Sequence, residues 1–183
     1  ISDLAALGSI LDALATGKNR PQIITQSEWE ALEVLIEKEQ HFNGWFTKEA
    51  IQNVFVEISS WLNAPTLEEW LSAYPYANQP QNVALILPGN LPLVGFHDFV
   101  CVLVSGNNVL LKLSSDDKIL LPLLVKMLVF LNDEFSKHVF TNFIDGLDPS
   151  KRYFTKDDIK EFSKYKYQID NQFKESDIAF YDL

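Results

Sequence analysis

Cysteine is almost absent: Cys101 is the only one in 183 residues. No intrachain disulfide can form, which suits a reducing compartment such as the cytoplasm. The three histidines, His41, His97 and His138, lack ligand spacing, so no metal site is expected. Basic residues are scarce as well. Fifteen Lys and Arg face 25 Asp and Glu, for a formal net charge of -10. That balance disfavours nucleic acid and anionic membrane surfaces as partners, because both recruit clustered cations. Long apolar runs are missing too. The longest near the middle, 119–131, is broken by Pro122 and Lys126 and is too short to span a bilayer. The first four residues carry neither the basic stretch nor the apolar run of a secretory signal. The sequence starts at Ile1, not Met, and reads as part of a longer chain.

What is present is apolar: 47% of residues are hydrophobic, enough for one packed domain or for a helical part and an α/β part sharing a core. Charge divides the chain in three. Residues 1–81 hold 11 acidic and 4 basic side chains, 82–131 hold three of each, and 132–183 hold 11 and 8. The neutral middle is the most apolar part and is expected to be the buried centre of an α/β fold.

Residues 1–81 read as an N-terminal helical region. Leu4, Leu7, Leu11 and Leu14 recur at helical spacing before Gly17, a plausible stop. Ser27 and Glu30 form a capping-box pattern, opening a helix through Lys38. Thr47 precedes an amphipathic helix with Ile51, Phe55, Ile58 and Leu62 on one face, and Thr66 to Glu69 cap a short fourth helix. Phe55, Trp61 and Trp70 are most simply core.

The period changes at residue 82. Residues 82–87 and 108–113 are short apolar runs read as buried strands, the first bounded by Pro80 and Pro88-Gly89. Residues 91–105 between them read as a largely buried helix ending at Gly106. A helix over 116–131 follows, with acidic residues in its first turn. Strand, helix, strand implies a parallel crossover. Residues 132–183 are an unassigned helical and aromatic tail, with a turn at 145–149, a capped helix at 155–165 and a solvated acidic face at Asp157, Asp158 and Glu161.

Ligands of open α/β sheets sit at the carboxyl ends of strands. There the first strand runs into Pro88-Gly89-Asn90-Leu91-Pro92, and the second into Lys112-Leu113-Ser114-Ser115. Gly89 lets the backbone approach a ligand closely, and Asn90 can present an amide donor. Taken alone, the first segment is more simply a structural turn with an Asn cap, and the second a solvated edge lysine.

Taken together, the two segments resemble the LuxC-type acyl-CoA reductases of the aldehyde dehydrogenase superfamily, strongly over 82–131, loosely over 1–81 and not over 132–183. The resemblance implies an α/β fold: a helical N-terminal region followed by a parallel, Rossmann-like βαβ nucleotide-binding unit. It implies that Asn90 is an oxyanion donor and that Lys112 binds the adenosine ribose, with Pro88, Gly89, Ser114 and Ser115 completing the cofactor contacts. It also implies acyl-CoA as substrate, reduced to aldehyde through an acyl-cysteine. Leu113 stands where the superfamily usually has Pro. Ser115 stands where NAD-preferring members often have Glu, so a 2′-phosphate meets no carboxylate there and NADP is the expected cofactor. His97, near the loop, is a weaker candidate for substrate contact. A direct His97–Asp98 relay is not expected, because adjacent helical positions do not face each other.

The family's nucleophilic cysteine lies in a later Gly-Cys-Arg-type loop that these 183 residues lack. Cys101 sits among Phe99, Val100, Val102 and Leu103, and reads as a buried packing residue with a raised pKa. Turnover by this chain alone is therefore not expected. A noncatalytic nucleotide-binding or protein-interaction module is the competing reading. The oligomeric state stays open, a homo-oligomer included.

Overall fold

The computed structural model describes residues 1–117 and 119–131. The expected turn at 145–149, the helix at 155–165, the acidic face at Asp157, Asp158 and Glu161, and His138 all fall outside them. The chain divides into two units, Ile1–Leu124 and Val125–Leu183. The first contains helices α1 (Ser2–Thr16), α2 (Gln26–Glu39), α3 (Lys48–Trp61) and α4 (Ala64–Ser72). Strand β1 (Asn82–Ile86), helix α5 (Phe96–Val104) and strand β2 (Asn108–Lys112) follow. Helix α6 spans Leu120–Leu131, and its last seven residues are all that is described of the second unit. No helix among the described residues is long and apolar enough to cross a membrane.

The helical region forms where the apolar spacing calls for it. Gly17 ends α1 in the left-handed conformation, φ 68°, which a glycine adopts at little cost. Helices α1 and α3 pack together, burying Leu7, Ile10 and Leu11 of one and Ile51, Phe55 and Ile58 of the other. Each such side chain contributes about 1.5–3 kcal/mol when fully buried. Their approach is close because position 8 is glycine: a Cβ there would lie 2.1 Å from the Leu62 carbonyl oxygen.

Two helix starts differ from the sequence pattern. The capping box of α2 is Thr25 with Glu28, not Ser27 with Glu30. Thr25 donates its amide to Glu28 Oε2 at 2.7 Å, and Glu28 is buried while Ser27 and Glu30 are exposed. Helix α4 is capped by Asn63, whose Oδ1 accepts from the Thr66 amide at 3.0 Å, so Thr66 lies inside the first turn.

The two strands pair in parallel, with Asn82 opposite Asn108 and Ile86 opposite Lys112. Both begin with the expected runs. Their burial differs from expectation. Helix α5 packs on the pair, and successive side chains of a strand face opposite ways. Val83, Leu85, Val109 and Leu111 are half-buried, whereas Ala84, Ile86, Leu110 and Lys112 are exposed. Among the described residues the sheet has two strands. A sheet covered on one side alternates instead of burying a continuous run.

Helix α5 starts at Phe96, five residues later than the apolar run suggests. Leu93 has φ 55°, the left-handed region, which interrupts a right-handed helix. That conformation costs on the order of 1–3 kcal/mol. Burial of the Leu93 side chain, 4% exposed, offsets it. Residues 91–95 are therefore a turn, and α6 likewise begins at Leu120, leaving Asp116 and Asp117 ahead of the helix.

Two carboxyls meet where the helical region joins the strand loops. Glu39, at the end of α2, and Asp117, after β2, are both buried, and Glu39 Oε2 and Asp117 Oδ1 have no hydrogen-bond partner among the described residues. Burial, and secondarily the Asp117 charge, push the Glu39 carboxyl from 4.5 up to about 7. Burial also raises Asp117, with the backbone amides of Leu93, Leu121 and Leu120 acting the other way. The folded chain thus holds a proton on Glu39 that the unfolded chain releases above about pH 4.5. Its contribution is fully present below that pH and is lost as pH rises to about 7, a change on the order of 3 kcal/mol. Urea unfolding should accordingly show a lower midpoint at pH 8 than at pH 5, and Glu39→Gln should flatten the difference. A wild-type midpoint unchanged between those pH values would refute the buried pair.

Candidate functional site

The parallel register sets the loops after β1 and β2 side by side. Leu87 donates its amide to the Lys112 carbonyl at 3.0 Å. Gly89 is buried two residues further on, and a Cβ there would lie 2.5 Å from Ser114 Oγ and 2.6 Å from Ser114 Cβ. Only glycine fits that contact without displacing the second loop. The Asp116 amide donates to Ser114 Oγ at 3.2 Å, and Ser115 Oγ donates to Asp116 Oδ1 at 3.3 Å. Asn90 and Pro88 flank Gly89 on the exposed side.

A third element closes the corner. The turn 42–45, between α2 and α3, reaches the loop after β2 through Asn43, whose Nδ2 donates to the Asp116 carbonyl at 3.0 Å. Asn43 Oδ1 accepts from the Trp45 amide at 3.0 Å, and the adjoining Phe46 is fully buried. The space between this turn, loop 89–91 and residues 115–116 is a cleft of about 650 Å³.

The structure separates the sequence candidates. Gly89, Asn90 and Ser115 share the cleft. Ser114 supports Gly89 from behind. Lys112 lies outside the lining, at the end of β2, with an exposed side chain whose Nζ donates to its neighbour's carbonyl, Leu113 O, at 2.9 Å.

His97 belongs to a different surface. Its ring stacks on Trp70, centroids 5.6 Å apart at 24°, and meets the edge of Trp61 at the same separation. Trp61 and Trp70 are half-buried, not the core residues their spacing suggested, because they frame this exposed imidazole. The contact between His97 Nδ1 and Asp98 Oδ1 is 4.0 Å with both side chains exposed, too loose for a relay. Cys101 is half-buried, one helical turn from His97, with Sγ 3.7 Å from Nδ1. Burial, then the Asp98 charge, push its thiol above the ordinary value, while a backbone hydrogen bond opposes them. A thiol so placed is a poor thiolate nucleophile.

Sequence reading missed the turn 42–45, although Asn43-Gly44 between aromatic residues is a turn signal. It also missed the His97–Cys101 contact, for which the spacing of four on a helix was the clue. The pairing of Glu39 with Asp117 left no local mark. Among the described residues, no three His, Cys, Asp or Glu side chains gather as a metal site.

Comparison with known proteins adds two matches. Residues 18–141 match the acyl-CoA reductase (LuxC) family, and residues 129–183 are similar to the tail specific protease N-terminal domain. Curated proteins and solved structures give no match. The first match takes in α2 to α6 and every residue of the cleft, well over half of the sequence. This chain belongs to the acyl-CoA reductase (LuxC) family.

Proposed function

We propose that this chain carries the nucleotide-binding and oxyanion-stabilising part of an NADPH-dependent, cytoplasmic acyl-CoA reductase, an enzyme that reduces an acyl-CoA thioester to an aldehyde through an acyl-cysteine. The observation that carries the reading is the corner itself: a side-chain-free Gly89 against Ser114, with an exposed amide donor, Asn90, on one side and a hydroxyl, Ser115, on the other.

The residues fit a pyridine nucleotide. Gly89 lines the cleft without a side chain, Ser115 offers a hydroxyl there, and Pro88, Ser114 and Lys112 adjoin the lining, Ser114 packed behind Gly89 and Lys112 supplying a cation at the strand end. When bound, the reduced nucleotide supplies the hydride. The chain's own residues hold and polarise. In the family's chemistry a thiolate attacks the thioester carbon and CoA leaves as its thiol. Asn90 Nδ2 is suited to donate to the carbonyl oxygen as negative charge develops on it. The thiolate comes from the family's Gly-Cys loop, which these 183 residues do not contain, and not from Cys101. His97, outside the cleft and against Trp61 and Trp70, is the weaker candidate for substrate contact.

NAD is a second reading, and Asp116 favours it. Its carboxylate lines the cleft beside Ser115, where it opposes a 2′-phosphate. Lys112 attracts that phosphate. The NADP reading holds where the cation outweighs the carboxylate.

Two experiments test these assignments. Calorimetry should give tighter binding of NADP than of NAD. Lys112→Ala should weaken NADP roughly tenfold more than NAD, which corresponds to about 1.4 kcal/mol, and Asp116→Asn should strengthen NADP. Tighter binding of NAD by the wild type would defeat the cofactor assignment. In an enzyme combining this segment with a family cysteine loop, Asn90→Ala should lower turnover by about 10²–10³. Folding should be nearly untouched, since Asn90 is exposed. Cys101→Ser should keep turnover, and acylation of Cys101 by an acyl-CoA, seen by mass spectrometry, would overturn its exclusion.

A further inference from the structure

One wall of the cleft, Phe42 to Trp45, hangs from the end of α2. The amides of Phe42 and Asn43 both donate to the Glu39 carbonyl, at 2.9 Å and 3.1 Å. The side chain of the same Glu39 is buried, 1% exposed, where it meets the charge of Asp117. Asp117, 5% exposed, follows Asp116, which lines the cleft and whose carbonyl accepts from Asn43 Nδ2 at 3.0 Å. Two links therefore cross one junction between the cleft walls: the Asn43 hydrogen bond at the surface and the carboxyl pair in the interior.

The pair tolerates one charge better than two. Glu39 Oε2 and Asp117 Oδ1 are buried with no hydrogen-bond partner among the described residues. The amides of Leu93, before α5, and of Leu120 and Leu121, at the start of α6, face Asp117 and favour its charge. Glu39 meets burial and the Asp117 charge instead. Its charged neighbours in sequence, Lys38 and His41, are exposed, and Lys48 of α3 pairs with Glu37. Neither buried carboxyl has an ion pair among the described residues. Two carboxylates so placed repel each other, and each lacks the hydration it would have outside. A proton on Glu39 removes one of the charges.

We infer that Glu39 and Asp117 form a proton-operated latch on the cleft: with Glu39 protonated the turn 42–45 stays docked on the loop after β2, and loss of that proton releases it. The opening is local. It parts the Asn43 bond and the carboxyl pair, and leaves the packing of α1 on α3, with Leu11 and Phe55 fully buried, in place. The sign follows from the burial. Opening returns Glu39 to water and toward its ordinary value of 4.5, so it is favoured as pH rises to about 7. The bias toward the open form grows by a factor on the order of 10² over that range. A ligand that touches both walls is therefore held more tightly on the acid side. The latch belongs to the walls and does not depend on which ligand the cleft takes.

The test follows amide hydrogen exchange of the ¹⁵N-labelled 183-residue chain between pH 5 and pH 8.5, corrected for the intrinsic pH dependence. The amides of Asn43, Trp45 and Phe46 report on the turn, and those of Leu11 and Phe55 on the core. Protection of the turn should fall roughly tenfold or more between pH 6 and pH 8 while the core holds. Glu39→Gln should keep the turn protected throughout, and Asp117→Asn, which removes the repelling charge, should lower the pH of the transition. No transition in wild type, or the same transition in Glu39→Gln, overturns the latch. Equal loss of protection at Leu11 and Phe55 makes the proton a matter of global stability and overturns it too. If Glu39→Gln does not fold, Asp117→Asn decides, and an unmoved midpoint overturns the inference. NADP titration is read separately, because it rests on the nucleotide-binding reading. Wild-type affinity should be roughly tenfold higher at pH 6 than at pH 8 once the ratio in Glu39→Gln, which carries the titration of the ligand's own phosphate, is divided out. If NADP does not bind but the turn titrates, the latch stands and the nucleotide reading falls.

Discussion

The Leu87 amide and the Lys112 carbonyl meet at 3.0 Å, one step beyond the last paired residues of a two-stranded parallel ladder. That bond fixes where both strands end relative to each other. Two residues later Gly89 lies against Ser114 with no room for a side chain between them. A slip of register by one residue would turn every strand side chain to the other face and pull the two loops apart. The cleft therefore depends on backbone pairing first and on side chains second.

The helical region contributes by holding the corner from outside. At the loop after β2 it makes polar contacts, Asn43 on the Asp116 carbonyl and Glu39 buried beside Asp117, while Trp61 and Trp70 pack on α5. A buried carboxyl without a partner is costly when charged, and it is less costly when it keeps its proton. The rise in the Glu39 pKa is the expression of that preference. Protonation of one carboxyl thus contributes to the attachment of the helical layer to the loop after β2.

Much of this order was legible in the sequence. The apolar runs around Leu85 and Leu110 gave short strands because Pro80 and Pro88 bound the first and Gly106 precedes the second. Thr47 and Gly17 marked helix ends because a hydroxyl cap and a left-handed glycine act locally. What was not legible depends on partners far along the chain. Nothing near Leu93 announces a positive φ, and that one residue moved the start of α5 by five positions. The capping pattern read at Ser27 and Glu30 is not the one used: Thr25 with the buried Glu28 opens α2. Strand burial was over-read, since an apolar run does not say how many layers cover it. Gly89, Asn90 and Ser115, singled out in the sequence as strand-end residues, line one cleft. Asn43 and Trp45, some 70 residues from Asp116, were brought there by the fold.

The central claim is that the loops after β1 and β2 form one nucleotide-binding corner. The most direct measurement follows backbone amide resonances of the ¹⁵N-labelled chain during titration with NADP. Saturable shifts clustered at Gly89, Asn90, Ser114, Ser115 and Asp116 are the predicted result. Saturable shifts confined to residues remote from both loops, or none at millimolar nucleotide, would contradict it.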